Sequence, residues 1–256
     1  ANSIQWLPDS RRFSYLEKDE QVSEYSLILN SVEKGSRKVL LSPDELDDKN
    51  LDFTGYQWLP DESGIVFQGS GDIWFYSVSM DSLHPLTDTP DEEEVVRIAP
   101  NGQMIAFVRD NDLYIYNLQT ADIIKLTNSG SKTILNGKLD WVYQEELMGR
   151  GNFNGFWWSP DSKYIAFLQF DESSVPEYPL IDWVPTHPGL EMRRYPKAGD
   201  SNPTVRLGVI PVEKNANTTW MNVQADSDGY IPRVCWIPGS KQIAFMYLDR
   251  LQQHLK

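Results

Sequence analysis

Cysteine occurs once in the 256 residues, as Cys235, so no disulfide can form within the chain. Set in the apolar run Val234-Cys235-Trp236, that thiol is expected to be a small buried hydrophobe. Histidine is nearly as scarce. His84, His187 and His254 are the three copies, and none has a Ser or Cys partner nearby in sequence. A turn is expected for His84 and a proline-rich loop for His187. No Cys/His spacing of a metal site occurs and no glycine-rich phosphate loop follows a strand, so neither metal nor cofactor is expected. A nucleophile elbow of the Gly-x-Ser-x-Gly type is missing. Its nearest string, Gly199-Asp200-Ser201-Asn202-Pro203, fails at the last position, and no catalytic residue is assigned. Positive charge is short as well: 23 Lys and Arg stand against 37 Asp and Glu, for a net charge of -14. Such a surface repels phosphate backbones, which excludes nucleic acid as a partner. No apolar run is long enough to span a bilayer. No leader-like stretch opens the chain, and its start in mid-pattern is expected to mark a piece of a longer one.

Aromatic residues are what the chain has in quantity: nine Trp, twelve Tyr and ten Phe. They suit a pleated, half-buried surface. One phrase recurs around them, an aromatic or apolar pair, Pro, a turn pair, then an alternating apolar strand. It reads Trp6-Leu7-Pro8-Asp9-Ser10, Trp58-Leu59-Pro60-Asp61, Ile98-Ala99-Pro100-Asn101-Gly102, Trp158-Ser159-Pro160-Asp161-Ser162 and Trp236-Ile237-Pro238-Gly239-Ser240. Proline presets φ for a turn and Asp, Asn, Ser or Gly complete it, so each phrase predicts a hairpin. The register of Trp6, Trp58, Trp158 and Trp236 predicts core or inter-blade packing. A second phrase appears twice, Asp72-Ile73-Trp74-Phe75-Tyr76 ending at Leu86-Thr87 and Asp112-Leu113-Tyr114-Ile115-Tyr116 ending at Leu126-Thr127. Both phrases shift by 40 residues between copies, the length of a four-stranded propeller blade. The expected fold is all-β, a large part of a β-propeller.

The other intervals are longer: 52 residues from Pro8 to Pro60, 60 from Pro100 to Pro160, and 78 from Pro160 to Pro238. Function in repeat proteins concentrates in such insertions, because the scaffold strands are committed to packing. Two acidic runs, Asp44-Glu45-Leu46-Asp47-Asp48 and Asp91-Glu92-Glu93-Glu94, read as solvated turns. Trp183, in the longest interval, is given a packing role. The stretch Leu139-Asp140-Trp141-Val142-Tyr143-Gln144-Glu145-Glu146-Leu147 stands apart. Apolar positions 139, 142, 143 and 147 fit a helical turn better than a strand. Asp140 is placed to cap it, Trp141 and Tyr143 to anchor it, and Glu145 and Glu146 to project from it. On these residues alone, a surface helix with two solvated acids stands beside a binding site.

The string Asp140-Trp141-Val142-Tyr143-Gln144-Glu145-Glu146 closely resembles the double-glutamate motif of the dipeptidyl peptidase IV family. Gly155-Phe156-Trp157-Trp158-Ser159-Pro160, Ile165-Ala166-Phe167-Leu168-Gln169-Phe170 and Tyr195-Pro196-Lys197-Ala198-Gly199, leading to Asn202-Pro203-Thr204-Val205, follow in the family's order. The resemblance implies a serine exopeptidase of the prolyl oligopeptidase type that releases X-Pro or X-Ala dipeptides. It implies an eight-bladed N-terminal propeller, incomplete over residues 1–256, and an α/β-hydrolase domain carrying the Ser/Asp/His triad beyond it. Glu145 and Glu146 would bind the substrate's α-ammonium group. The implied partners are a peptide with a free N-terminus, the chain's own C-terminal domain, and a second copy in a full-length homodimer. A periplasmic or secreted location is a further family expectation. Two departures stand out. Gln144 occupies a position where many relatives have a third Glu. The loop Gln68-Gly69-Ser70-Gly71 is too short to bring the family's arginine to the substrate carbonyl. The alternative is a non-catalytic β-propeller binding module or an inactive family member.

Overall fold

All five aromatic-proline phrases fold as hairpin turns. The structure, a computed structural model, describes residues 2–18, 25–33, 35–43, 51, 55–223, 228–239 and 241–256. The acidic run Asp44–Asp48 and Ser240 of the fifth phrase lie outside them. Trp6 faces Phe13, Trp58 faces Ile65, Trp158 faces Ile165 and Trp236 faces Ile243 across antiparallel pairs. The turn side chains hold the geometry themselves. The carboxylate of Asp9 accepts from the Arg11 and Arg12 amides at 2.9 and 3.0 Å, and Asp61 and Asn101 accept from Ser63 and Gln103 at 3.0 Å.

Three four-stranded antiparallel sheets follow the chain in order. The first is β1 (Asn2–Trp6), β2 (Arg12–Lys18), β3 (Tyr25–Ser31) and β4 (Arg37–Leu41). The second is β5 (Gln57–Trp58), β6 (Gly64–Gly69), β7 (Asp72–Ser77) and β8 (Ser82–Pro85). The third is β9 (Glu94–Ile98), β10 (Met104–Arg109), β11 (Asp112–Asn117) and β12 (Ile123–Lys125). Two compact units divide the chain, residues 1–107 with 117–121 and residues 108–116 with 122–256. Leu16, Leu27, Tyr56, Ile65, Phe67 and Tyr76 anchor the core of the first. Leu139, Tyr143, Leu168, Phe170, Leu207 and Ile231 belong to a core of the second.

The 40-residue shift in sequence is a shift in hydrogen bonding. Thr87 Oγ1 accepts from the Ile73 amide at 2.8 Å, and Thr127 Oγ1 accepts from the Leu113 amide at 2.9 Å. Each hydroxyl then donates to a carboxylate, Thr87 to Glu93 at 2.5 Å and Thr127 to Asp112 at 2.6 Å. Glu93 is fully buried, and Thr89 Oγ1 is a second donor to it at 2.9 Å. The acidic run Asp91–Glu94 is thus not wholly a solvated turn: two hydroxyls replace the water that Glu93 gives up.

Four local expectations need correction. Cys235 is exposed, because β20 (Tyr230–Trp236) alternates and Val234 takes the inward position. His84 lies in strand β8, edge-on to Phe75 at 5.4 Å between centroids, and not in a turn. Trp6 is 61% exposed. Two of the others lean on the sheet before their own: Trp58 donates its indole N–H to Ser14 Oγ at 2.8 Å and Trp236 to the Trp157 carbonyl at 3.0 Å. No earlier sheet exists for Trp6 among the described residues, and its ring rests on Phe13 at 5.3 Å. Trp183 is exposed as well, and is in neither core among the described residues.

Trp183 sits just beyond an arm that the strand pattern did not announce. The fourth sheet contains β13 (Ile134–Asn136), β14 (Phe156–Trp158) and β15 (Tyr164–Asp171). The chain then leaves it as a two-stranded hairpin, β16 (Glu177–Asp182) and β17 (Gly189–Arg194), and returns as β18 (Thr204–Pro211) and β19 (Thr219–Trp220). His187 falls in the turn of this arm, as expected. The last hairpin pairs β20 with β21 (Ile243–Leu248).

Candidate functional site

One edge of the fourth sheet is a strand in two pieces. The first half of β15 pairs with β14, Phe156 opposite Phe167 and Trp158 opposite Ile165. Its second half pairs with β13, Leu135 opposite Phe170 and Asn136 opposite Gln169. Between them the chain departs at Gly137 and rejoins at Gly155. The ladder closes over the gap: Gly137 N–H donates to the Leu168 carbonyl and Leu168 N–H donates to the Gly155 carbonyl, both at 2.9 Å. The two glycines also bond to each other, Gly155 N–H to Gly137 O at 3.0 Å. A Cβ on Gly155 would lie 2.9 Å from the Gly137 carbonyl carbon, so this approach requires glycine. The 60-residue interval is therefore a regular edge strand interrupted by an excursion, and the excursion carries the double glutamate.

Within the excursion Trp141 and Val142 start in helical conformation and Tyr143–Leu147 form one π-helical turn, closed by Met148 N–H donating to the Tyr143 carbonyl at 2.8 Å. Such turns arise where an extra residue is accommodated, and they concentrate at functional sites. A π turn holds more residues than an α turn, so Glu145 and Glu146 diverge by less than neighbours on an α-helix. Asp140 caps the start. Its two carboxylate oxygens accept from the Val142 and Tyr143 amides at 3.1 and 3.2 Å. Burial pushes the Asp140 carboxyl up to about 6 against the lowering effect of those two amides.

Tyr143 is the anchor. It is buried, edge-on to Phe170 at 4.7 Å, and its hydroxyl accepts from the Ile231 amide at 2.7 Å. Burial drives its phenol well above the ordinary value. Trp141 is half-buried and its ring packs tilted against Tyr195 at 4.3 Å between centroids. Arg233 holds the far end, donating to the Leu147 carbonyl at 2.9 Å. Glu146 is exposed. Glu145 is mostly buried, its side chain 19% exposed. Arg150 Nε donates to Glu145 Oε2 at 2.6 Å, and Gln144 Nε2 to Oε1 at 3.1 Å. Gln144 also accepts from the Gly151 amide at 3.0 Å, which ties the loop after the turn back to it. Among the described residues no group of three or more His, Cys, Asp or Glu is placed to hold a metal.

Every residue singled out in the motif lies on this one turn: Asp140, Trp141 and Tyr143 fix it, and Glu145 and Glu146 are presented by it. Sequence reasoning missed Arg150, Arg233 and Glu172. Arg233 lies 86 residues from the carbonyl it caps, and no local signal announces that pairing. Glu172 follows β15, and its carboxyl is pushed up to about 7 by burial first and then by the charge of Asp140, against the lowering charges of Arg194 and Lys138. Arg150 could have been noticed from its place in Gly149-Arg150-Gly151. The turn offers two carboxylates on a rigid base, an arrangement suited to a cation with several N–H donors.

Residues 66–256 match the family model described as the dipeptidyl peptidase IV (DPP IV) N-terminal region. The chain is 35% identical over 187 residues to a probable dipeptidyl-aminopeptidase B of Talaromyces marneffei, covering 66% of this chain and 20% of that protein. It is 28% identical over 275 aligned positions to dipeptidyl peptidase 4 of Trichophyton rubrum, covering 100% of this chain and 34% of that one. Among solved structures, Porphyromonas gingivalis dipeptidyl peptidase 4 superposes with a TM-score of 0.82 at 27% identity, over 100% of this chain and 37% of its own. The chain thus spans between a fifth and just over a third of these relatives' lengths.

Proposed function

Because the chain belongs to the dipeptidyl peptidase IV N-terminal region family, we propose that it is the substrate-selecting propeller segment of a serine exopeptidase, with Glu145 and Glu146 as its receptor for a peptide N-terminus. The sheets would be blades of an incomplete eight-bladed ring, and a C-terminal α/β-hydrolase domain would supply the Ser/Asp/His triad. The observation that carries the reading is the excursion from Gly137 to Gly155, which lifts two adjacent carboxylates out of an edge strand on a capped and anchored turn. The strand ladder closes at its base without it.

The chemistry follows from the charge. An α-amine has a pKa near 7.7–8.0 and is largely protonated at neutral pH. Two carboxylates accept its hydrogen bonds in charge-assisted contacts, roughly twice as strong as neutral ones. An amine held at a fixed distance from a nucleophile places one bond in line for attack, which makes the enzyme count two residues from the N-terminus. The pair moves no proton; it orients the scissile bond. X-Pro and X-Ala peptides are the proposed substrates, met outside the cytoplasm. A second copy of the protein is a proposed partner, and the β16–β17 arm offers exposed Trp183, Val184 and Leu190 for it.

The test uses the enzyme carrying this chain with its catalytic domain. Glu145→Gln and Glu146→Gln each remove one charge while keeping the shape. We expect kcat/KM for Ala-Pro-p-nitroanilide to fall by about 10- to 100-fold in each, the size of a lost hydrogen bond to a charged group. Values near wild type in both variants would sink the reading.

A further inference from the structure

Glu145 is already occupied. Its Oε2 accepts a 2.6 Å hydrogen bond from Arg150 Nε, in an ion pair whose two halves differ sharply in setting. The carboxylate is mostly enclosed at 19% exposure, while the arginine side chain lies on the outside at 85%. The arginine also sits between two glycines, Gly149 at φ +99° and Gly151 at φ +78°, both in the region open mainly to glycine and both with nothing within 4 Å of where a Cβ would stand. The turn before it is fixed by Asp140, Tyr143 and Arg233. Gly151 N–H donates to Gln144 Oε1 and Asn152 N–H to the Gly149 carbonyl, both at 3.0 Å, so Arg150 sits in a short closed turn. An enclosed anion thus faces a cation whose side chain lies in water.

We propose that Arg150 is a resident counter-cation of the ammonium subsite, a specificity-determining residue that a peptide N-terminus must displace from Glu145. The inference rests on the ammonium reading of Glu145 and Glu146 given above. A guanidinium and an α-ammonium compete for the same carboxylate lone pairs, since both donate charged N–H groups to them. Displacement costs little on the arginine's side, because the guanidinium already lies largely in water and stays there when released. A chain end without an ammonium has nothing to offer in exchange. The pair therefore lowers the affinity of any ligand that must take its place on the carboxylate, and an ammonium can take that place where a blocked N-terminus cannot. Arg150 acts by vacating the carboxylate; it takes no part in bond cleavage.

Arg150→Gln and Arg150→Lys separate this from a structural role, with Glu145→Gln as the reference, all in the enzyme with its catalytic domain and Ala-Pro-p-nitroanilide as the probe. Removing the competitor in Arg150→Gln is expected to lower KM by about two- to fivefold, the size of an ion pair whose cation is solvated, with kcat moving less than KM. Arg150→Lys keeps a competing cation and is expected to keep KM close to wild type. An unchanged or raised KM in Arg150→Gln, alongside a raised KM in Glu145→Gln, would overturn the counter-cation and leave the ammonium reading standing. An equal drop in the Lys variant would overturn it too. If Glu145→Gln itself leaves KM unmoved, the ammonium reading fails and the counter-cation fails with it.

Discussion

Asp140 and Glu172 are two acids that the fold keeps partly out of water beside the glutamate turn. Desolvation penalises the charged form, and the carboxyls are pushed up to about 6 and about 7 from ordinary values of 3.8 and 4.5. The linkage sign follows directly. A group with a raised pKa in the folded state binds its proton more tightly there, so the stability tied to it is fully present below pH 4 and is lost as pH rises toward 7. Asp140 cannot be neutralised cleanly, because both its oxygens accept amide bonds. Glu172 can. Glu172→Gln is expected to unfold at the same temperature as the parent near pH 4 and at a higher one near pH 8. The gain should be on the order of 1 kcal/mol once discounted for partial exposure. Thermal unfolding at the two pH values checks it, and a difference that does not change with pH would refute it.

The excursion between β13 and β14 shows what a linear reading can and cannot reach. Turn chemistry is local, so all five hairpins were legible from Pro with Asp, Asn, Ser or Gly beside it. The helical turn was legible from the apolar positions 139, 142, 143 and 147, and its cap from Asp140. The base of the excursion was not, because Gly137 and Gly155 meet only once β15 lies between the two half-strands. The burial of Glu93 was hidden for the same reason: the hydroxyls that satisfy it arrive from Thr87 and Thr89. The arm strands β16 and β17 escaped notice because almost every position in them is exposed, which erases the alternation that marks a half-buried strand. The glycine base makes its own prediction. In Gly155→Ala the new Cβ would meet backbone atoms of Gly137 and Lys138 at 2.9 to 3.1 Å, and backbone cannot swing aside. We expect a loss of about 1–3 kcal/mol, as for other overpacked sites, measured by denaturant unfolding. Under the proposed function, KM for a free-N-terminus substrate would also rise more than kcat falls, because the base positions the turn. Wild-type stability in the alanine variant would show that the base can open without cost.

At the scale of the whole molecule, the arm is the feature that the cores do not explain. A two-stranded hairpin is marginal in water by itself, yet this one carries Trp183 at 73%, Val184 at 93% and Leu190 at 67% exposure. Its root is fastened to the site: Tyr178 of β16 lies 5.8 Å from Tyr195, the same ring that packs against Trp141 at 4.3 Å. Large apolar side chains exposed on an unsupported hairpin suit an interaction site, and in a chain with a net charge of -14 close approach of two copies has to be driven by apolar burial against mutual repulsion. The homodimer proposed above would use this arm. Trp183→Asp combined with Leu190→Asp places new negative charge on it without touching either core. The wild-type protein is then expected to sediment as a dimer at micromolar concentration and the double variant as a monomer, with matching far-UV circular dichroism. Raising the salt should strengthen the wild-type dimer by screening the repulsion. A wild-type protein that sediments as a monomer, or a double variant that still dimerises, would remove the arm from the interface.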